Sequence, residues 1–183
     1  MTLKLVTATP ADLPKIKRII FECFSSRRTD PFLAVKKRTK TGIAEFCSLY
    51  DDDNWVGFIY TVKNAELVYV FFLAIKETER SKGYGSGLME LIKERYQGQV
   101  IGLSAEKPDA TATNNHERLR RLKFYAKNEF LPTDFYTAEK GGVEFEFLTQ
   151  NGQKIRPQAY PELMAQCLGL WQKFLLPIKV VKD

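Results

Sequence analysis

The stretch from Leu67 to Ile75, together with the glycine-rich turn just beyond it, constrains this chain more than any other feature. Leu67-Val68-Tyr69-Val70-Phe71-Phe72-Leu73-Ala74-Ile75 is apolar on both faces, the pattern of a strand covered from both sides, which places it in the middle of a sheet. Shortly afterwards comes Arg80-Ser81-Lys82-Gly83-Tyr84-Gly85-Ser86-Gly87. From Gly85 to Tyr96, Leu88, Leu91, Ile92 and Arg95 recur at helical spacing, and Gly98 supplies a left-handed stop. Strand, glycine-rich turn and helix therefore follow one another in order.

The flanking sequence supplies neighbours for that strand. Thr9-Pro10-Ala11-Asp12 predicts a helix start, with a hydroxyl cap, proline at the first position and a carboxylate in the first turn. Leu13, Ile16, Ile20 and Phe24 then form one apolar stripe. Residues 29–42 are rich in Lys and Arg and read as a loop or a weak second helix. Ile43–Tyr50, Trp55–Val62 and Glu66–Ile75 read as an antiparallel meander turned at Asp51-Asp52-Asp53-Asn54 and Lys63-Asn64-Ala65. Gln99–Ala105 is a further strand, and Asn114 or Asn115 caps a helix whose inner face is expected to carry Leu119, Leu122 and Ala126. Leu131–Tyr136 and Val143–Leu148 make a closing hairpin, in which Val143, Phe145 and Phe147 alternate with Glu144 and Glu146.

This order predicts a three-layer α+β domain over residues 1–150, with a mixed, mostly antiparallel central sheet flanked by helices. Residues 151–183 form a C-terminal extension, where Tyr160–Leu175 has helical spacing and is apolar over more than one stripe. That extra helix has to pack, on its own domain or in a homodimer.

Composition narrows the function classes. Across 183 residues, 44% are hydrophobic and 27% charged, as in ordinary globular proteins. The longest apolar run is far short of the ~20 residues a membrane helix needs, and the first residues lack the basic and apolar segments of a secretory signal. A cytoplasmic protein is the expectation. Cys23, Cys47 and Cys167 are widely separated in apolar surroundings, which suggests buried thiols, and a single histidine gives little basis for a metal site. The net charge of +6 favours polyanionic partners, whether a nucleotide cofactor or RNA.

A lone Gly83-Tyr84-Gly85-Ser86-Gly87 also resembles a dinucleotide fingerprint, but that motif opens the first strand-helix unit of a parallel sheet, and here several antiparallel strands precede it. At a helix start the backbone N–H groups of Gly83, Gly85, Ser86 and Gly87 form an anion cradle, and glycine admits a pyrophosphate close to the main chain. Lys82 and Arg80 add positive charge. The alternative is a tight turn without a ligand.

Arg80-Ser81-Lys82-Gly83-Tyr84-Gly85 resembles the Arg/Gln-x-x-Gly-x-Gly/Ala signature of the GNAT superfamily of N-acetyltransferases. Phe124-Tyr125-Ala126-Lys127-Asn128-Glu129-Phe130 is similar to the family's Phe-Tyr-x-x-x-Gly-Phe pattern, with Glu129 at the glycine position. The helix there is expected to stop by other means, with Asn128 in the left-handed conformation. The resemblance covers residues 3–148 by order of elements. It implies an acetyl-coenzyme A co-substrate whose pyrophosphate lies on residues Arg80–Gly87. It also implies pantetheine contacts from the main chain of Leu73 and Ile75, and Tyr125 as the general acid for the departing thiolate.

The acceptor would be an amine of a small molecule or peptide. Glu106, Glu66, His116 or a water relay are the candidates for taking its proton, and each of these side chains reads equally as solvated surface. Arg118 and Arg121, with Arg120, could clamp a carboxylate or phosphate on that acceptor, or form a solvated basic face. The rival reading is a non-catalytic RNA- or ribosome-binding module, motivated by Arg27-Arg28, Lys36-Lys37-Arg38 and Arg118-Arg120-Arg121. No aromatic platform interleaves these clusters, so nucleic acid is not the expected partner. A GNAT fold that binds coenzyme A without turnover is a third reading.

Overall fold

The computed structural model describes residues 2–24, 32, 36, 38–138, 142–168 and 178–182. Its strands are β1 (Leu3–Thr7), β2 (Ala44–Asp51), β3 (Asn54–Lys63), β4 (Val68–Ile75), β5 (Ile101–Glu106), β6 (Phe130–Ala138), β7 (Glu144–Gln150) and β8 (Lys179–Lys182). Its helices are α1 (Leu13–Phe24), α2 (Tyr84–Arg95), α3 (Asn115–Lys127) and α4 (Ala159–Leu168), with short 3-10 turns at Thr39–Thr41 and Glu77–Glu79. The class is α+β, a mixed and mostly antiparallel sheet with helices, as the sequence predicts. The chain forms two compact units, Met1–Lys63 with Val70–Gln97 and Asn64–Tyr69 with Gly98–Asp183. Strand β4 contributes to both, since the division falls between Tyr69 and Val70.

In the first unit, β1, β2 and β3 run antiparallel, with Leu5 opposite Leu49 and Cys47 opposite Ile59. β4 lies next to β3. The residues between those two strands are too few for a parallel crossover. Phe46, Phe58, Tyr60 and Phe72 are buried, with the Phe46 and Tyr60 rings 4.6 Å apart. Strand β1 was not anticipated from sequence; its signal is the short alternation Leu3-Lys4-Leu5. The start of α1 combines the predicted residues differently. Asp12, fully buried, accepts hydrogen bonds from the Thr9 backbone N–H and hydroxyl at 2.9 Å each and from the Tyr50 hydroxyl. The aspartate thus reaches back to the cap residue, as in a capping box.

A polar network stands beside this core. Glu45 is ion-paired with Arg95 at 2.8 Å and accepts the Tyr96 hydroxyl at 2.7 Å, and the Tyr96 oxygen lies 2.9 Å from that of Thr61. Burial alone would raise the Glu45 pKa, but its bonds to Arg95 and Tyr96 outweigh that and hold it below the ordinary 4.5. Burial first, and Glu45 second, push the neighbouring Cys47 thiol up to about 12, which disfavours its thiolate.

In the second unit, Val68 and Tyr69 of β4 pair in parallel with Ile101 and Gly102, and the order continues antiparallel through β5, β7, β6 and β8. Phe135, Phe147 and Tyr160 form an aromatic stack with Tyr69. The Phe135 and Phe147 centroids are 5.0 Å apart, and those of Tyr69 and Tyr160 are 4.6 Å apart. Tyr160 stands on α4, whose Ala159, Leu163, Met164 and Cys167 are also buried. Arg156, just before α4, grips Glu66 through Nε at 3.1 Å and Nη2 at 2.7 Å. The C-terminal segment thereby supplies core to this unit, and β8, absent from the sequence reading, pairs with β6. Residues 169–175 of the expected helix lie outside the described residues, as do Arg27, Arg28 and Lys37 of the basic clusters.

Helix α3 differs from expectation in its orientation. Leu119 is 41% exposed and Ala126 is also exposed, while Arg118, Leu122 and Tyr125 are half-buried. The inward stripe begins with an arginine because its guanidinium finds partners there, which an apolar period does not reveal. The stop of α3 also differs. Asn128 has φ −99° and its side chain donates to Phe124 O at 2.7 Å, whereas Glu129 itself is left-handed at φ 69°. The geometry of the helix end demands a left-handed residue at this position. A non-glycine residue meets that demand at a cost of ~1 kcal/mol.

Two measurements check these packing arguments. Tyr160→Ala is expected to destabilise the protein by about 3 kcal/mol in urea unfolding, as removal of a buried ring does. Because the Glu45 pKa is depressed on folding, its contribution is present above pH 4.5 and fades as pH falls through the lower folded value. The stability gap between wild type and Glu45→Gln should therefore shrink on acidification below that point.

Candidate active site

The glycine-rich turn is built by backbone conformation. Arg80 is extended at φ −66° and ψ 158°, Ser81 is left-handed at φ 64°, and Gly83 is left-handed at φ 88° and ψ −8° as the N-cap of α2. A left-handed residue followed by helical Tyr84 turns successive N–H groups into a concavity that suits an anion. The Gly87 N–H is already bonded to Gly83 O at 3.1 Å. The helix start thus leaves Tyr84, Gly85 and Ser86 to present free N–H groups, a narrower set than the sequence suggested. A Cβ at Gly87 would displace the end of the Leu3 side chain.

Arg80, Ser81, Lys82 and Gly83 are exposed. The Arg80 Nε lies 3.4 Å from Ile75 O, and Lys82 is ion-paired with Glu79 at 2.9 Å. Tyr84 is buried, and its hydroxyl donates to Asp51 Oδ2 at 2.8 Å. Leu73 and Ile75 are half-buried near the end of β4. All these residues belong to the first unit.

Glu106, Arg118, Arg121 and Tyr125 belong to the second unit, and three of them meet directly. Glu106 Oε2 lies 3.0 Å from Arg121 Nη2 and 3.7 Å from Arg118 Nε. Arg118 also donates to Asn114 Oδ1 at 2.9 Å and Lys107 O at 3.0 Å. The predicted base and the predicted acceptor clamp therefore satisfy one another. Arg118 is thereby withdrawn from the surface, its side chain 13% exposed, whereas Arg121 stays exposed. Tyr125 follows Arg121 by one helical turn, and its hydroxyl makes no hydrogen bond to any described residue. Burial raises its pKa above the ordinary tyrosine value, and the charge of Arg121 opposes that rise.

The remaining base candidates stand elsewhere. Glu66 is held by Arg156, whose hydrogen bond lowers its pKa, and His116 is exposed in the first turn of α3. Among the described residues no group of His, Cys, Asp and Glu is arranged to hold a metal ion, and no helix is long and apolar enough to cross a membrane. Sequence reasoning passed over Asp51, which reads there as a turn former, and Asn114 as a partner of Arg118. The Asp51 contact joins positions 33 apart and leaves no local signal.

A mixed sheet whose central strand leads into a glycine cradle at a helix start defines an α+β acyltransferase fold. Residues 13–130 match the sequence model described as Acetyltransferase (GNAT) family, well over half of the chain. The chain belongs to that family and is an acyltransferase. No curated protein matches the sequence. Among solved structures, a putative GNAT acetyltransferase from Bacteroides thetaiotaomicron aligns with TM-score 0.67 at 19% identity, covering 98% of this chain and 100% of that one. Arabidopsis thaliana NAA60 in complex with a bisubstrate analogue aligns with TM-score 0.60 at 17% identity over 83% of this chain and 100% of its own. An aminoglycoside 6'-N-acetyltransferase complexed with coenzyme A aligns with TM-score 0.64 at 11% identity over 85% and 99%. These likenesses concern the fold.

The left-handed Ser81 gives a direct check on the turn. Ser81→Gly should leave the unfolding free energy within about 0.5 kcal/mol of wild type, because relief of strain offsets the added freedom of the unfolded chain. Ser81→Val should cost ~1–2 kcal/mol by thermal unfolding.

Proposed function

We propose that this chain is an acetyl-coenzyme A-dependent N-acetyltransferase acting on a primary amine of a small molecule or peptide. The observation that carries the reading is the concavity at Gly83, with free N–H groups at Tyr84, Gly85 and Ser86 and the cations Arg80 and Lys82 beside it. Helix-start amides and positive side chains are what a pyrophosphate requires. Family membership supports acetyl transfer. The coenzyme A and the bisubstrate analogue held by two structural relatives support this choice of co-substrate and of an amine acceptor.

Acetyl-coenzyme A supplies an activated acyl carbon and a sulfur leaving group. The main chain at Leu73 and Ile75 is assigned to the pantetheine arm and the thioester carbonyl, where one N–H aimed at the developing oxyanion is worth ~3 kcal/mol. The amine nitrogen bonds to the acetyl carbon and the carbon–sulfur bond breaks; Tyr125 is assigned as the hydrogen-bond donor to the departing sulfur. A phenol near pKa ~10 facing a thiol near ~8.5 makes complete proton transfer uphill by ~2 kcal/mol, and burial of Tyr125 adds to that. The role of Tyr125 as general acid is thus chiefly to donate a hydrogen bond to the thiolate, which takes its proton from water on release.

The proton lost by the amine goes to water. The hydrogen bond from Arg156 lowers the Glu66 pKa and makes it a weaker base, and Glu106 Oε2, the other carboxylate candidate, is shared by Arg118 and Arg121, which it orders. Arg121, with 45% of its side chain exposed, is the one of the pair we assign to an anionic group on the acceptor.

Acetyl-coenzyme A at a hundred times its Kd should raise stability by ~2.7 kcal/mol in a thermal-shift series, and a panel of amines should release thiol. Absence of a shift would sink the reading, and a shift without thiol release on any amine would leave a binding protein. Tyr125→Phe should lower kcat by about a hundredfold while acetyl-coenzyme A affinity stays within about twofold. Unchanged kcat would remove Tyr125 from the reaction.

A further inference from the structure

Of the segment Arg80–Gly87, Tyr84 alone has a buried side chain, 7% exposed, while Arg80, Ser81, Lys82 and Gly83 face solvent. The residue whose backbone N–H opens the cradle is therefore also the one that fastens it. Its hydroxyl donates to Asp51 Oδ2 at 2.8 Å, and the other oxygen of the same carboxylate accepts the Thr2 backbone N–H at 2.8 Å. Asp51 ends β2, and the next residue, Asp52, donates its N–H to Thr2 O at 3.2 Å. One carboxylate thus ties the first turn of α2 to the ends of two paired strands.

We infer that Asp51 is a positioning residue for cofactor binding, acting through the Tyr84 hydroxyl to hold the N–H groups of Tyr84, Gly85 and Ser86 in the concave arrangement that takes a pyrophosphate. The inference rests on the reading of this turn as the cofactor cradle. The physical need is clear from the loop itself. Ser81 and Gly83 are both left-handed, a Cβ at Gly83 would meet no atom within 4 Å, and the exposed residues before Tyr84 bury nothing that could fix them. A hydrogen bond from a phenol to an ionised carboxylate is stronger than one between neutral groups, and both partners are held by rigid elements. The same bond is the leading cause of the lowered Asp51 pKa. Preorganised amides need no rearrangement when the anion arrives, which improves affinity without adding a contact.

The test is calorimetric titration of coenzyme A into the full chain and the variants Tyr84→Phe, Asp51→Asn and the double variant, at a temperature where each is folded. Tyr84→Phe keeps the buried ring and removes only the hydroxyl. Each single variant is expected to raise Kd by about tenfold, what one hydrogen bond to a charged acceptor is worth. The double variant should raise it little further than Tyr84→Phe, because both changes act on the same bond, one removing the donor and the other the acceptor's charge. In turnover assays, KM for acetyl-coenzyme A should rise more than kcat falls. A merely structural bond would lower the unfolding temperature and leave Kd at the wild-type value, and that result would overturn the inference, as would effects that multiply in the double variant. If Asp51→Asn fails to fold because Thr2 loses its partner, Tyr84→Phe decides alone. Gly83→Val separates the two levels. If it leaves Kd unchanged, the cradle reading itself fails; if it abolishes binding while Tyr84→Phe does not weaken it, only the role of Asp51 fails.

Discussion

Strand β4 is the constraint on which the rest of the structure depends. Nearly every side chain from Val68 to Ile75 is apolar, so the strand is stable only where both faces and both edges are covered. Its ladder with β5 covers Val68 and Tyr69, and from Val70 onward it belongs to the unit built on β3. The point at which β4 ends, Ile75, also sets where the chain turns through Arg80 into α2.

The turn concentrates strain in a short segment. Ser81 holds a conformation that disfavours a side chain and Gly83 one that glycine accepts freely, so the segment persists only because its surroundings over-determine it. Tyr84 supplies that determination by burial on one side and a charged hydrogen bond on the other. The exposed residues Arg80–Gly83 can then carry charge beside the open amides of Tyr84, Gly85 and Ser86 without collapsing onto the surface.

Charge in the second unit is arranged for mutual satisfaction. A half-buried Arg118 would be costly alone, but Asn114, Lys107 O and Glu106 each take part of its guanidinium. Glu106 is shared with Arg121, which leaves a local excess of one positive charge beside Tyr125. That excess works against the effect of burial on the phenol. A cluster read from sequence as a base and two free clamps is, in space, one ionic assembly with a single exposed arm.

Residue periodicity made most of the fold legible. The meander from Ile43 to Ile75, the helix after Gly83, the strand ending near Glu106 and the Leu131–Leu148 hairpin all follow from local pattern, because alternation and turn residues act over a few positions. The glycine turn was legible for the same reason, since left-handed backbone at Gly83 is a local demand. Short β1 and β8 were missed, as strands with few residues become strands only by pairing with β2 and β6. The face of α3 was misjudged at Leu119 because the inward position belongs to Arg118, whose burial depends on partners up to twelve residues away. Sequence thus determined the longer strands and helices and the glycine-rich turn. Tertiary structure alone decided that Asp51 fastens Tyr84, that Glu106 is spent on two arginines and that Tyr160 completes an aromatic core, because each depends on a contact between distant parts of the chain that no local pattern encodes.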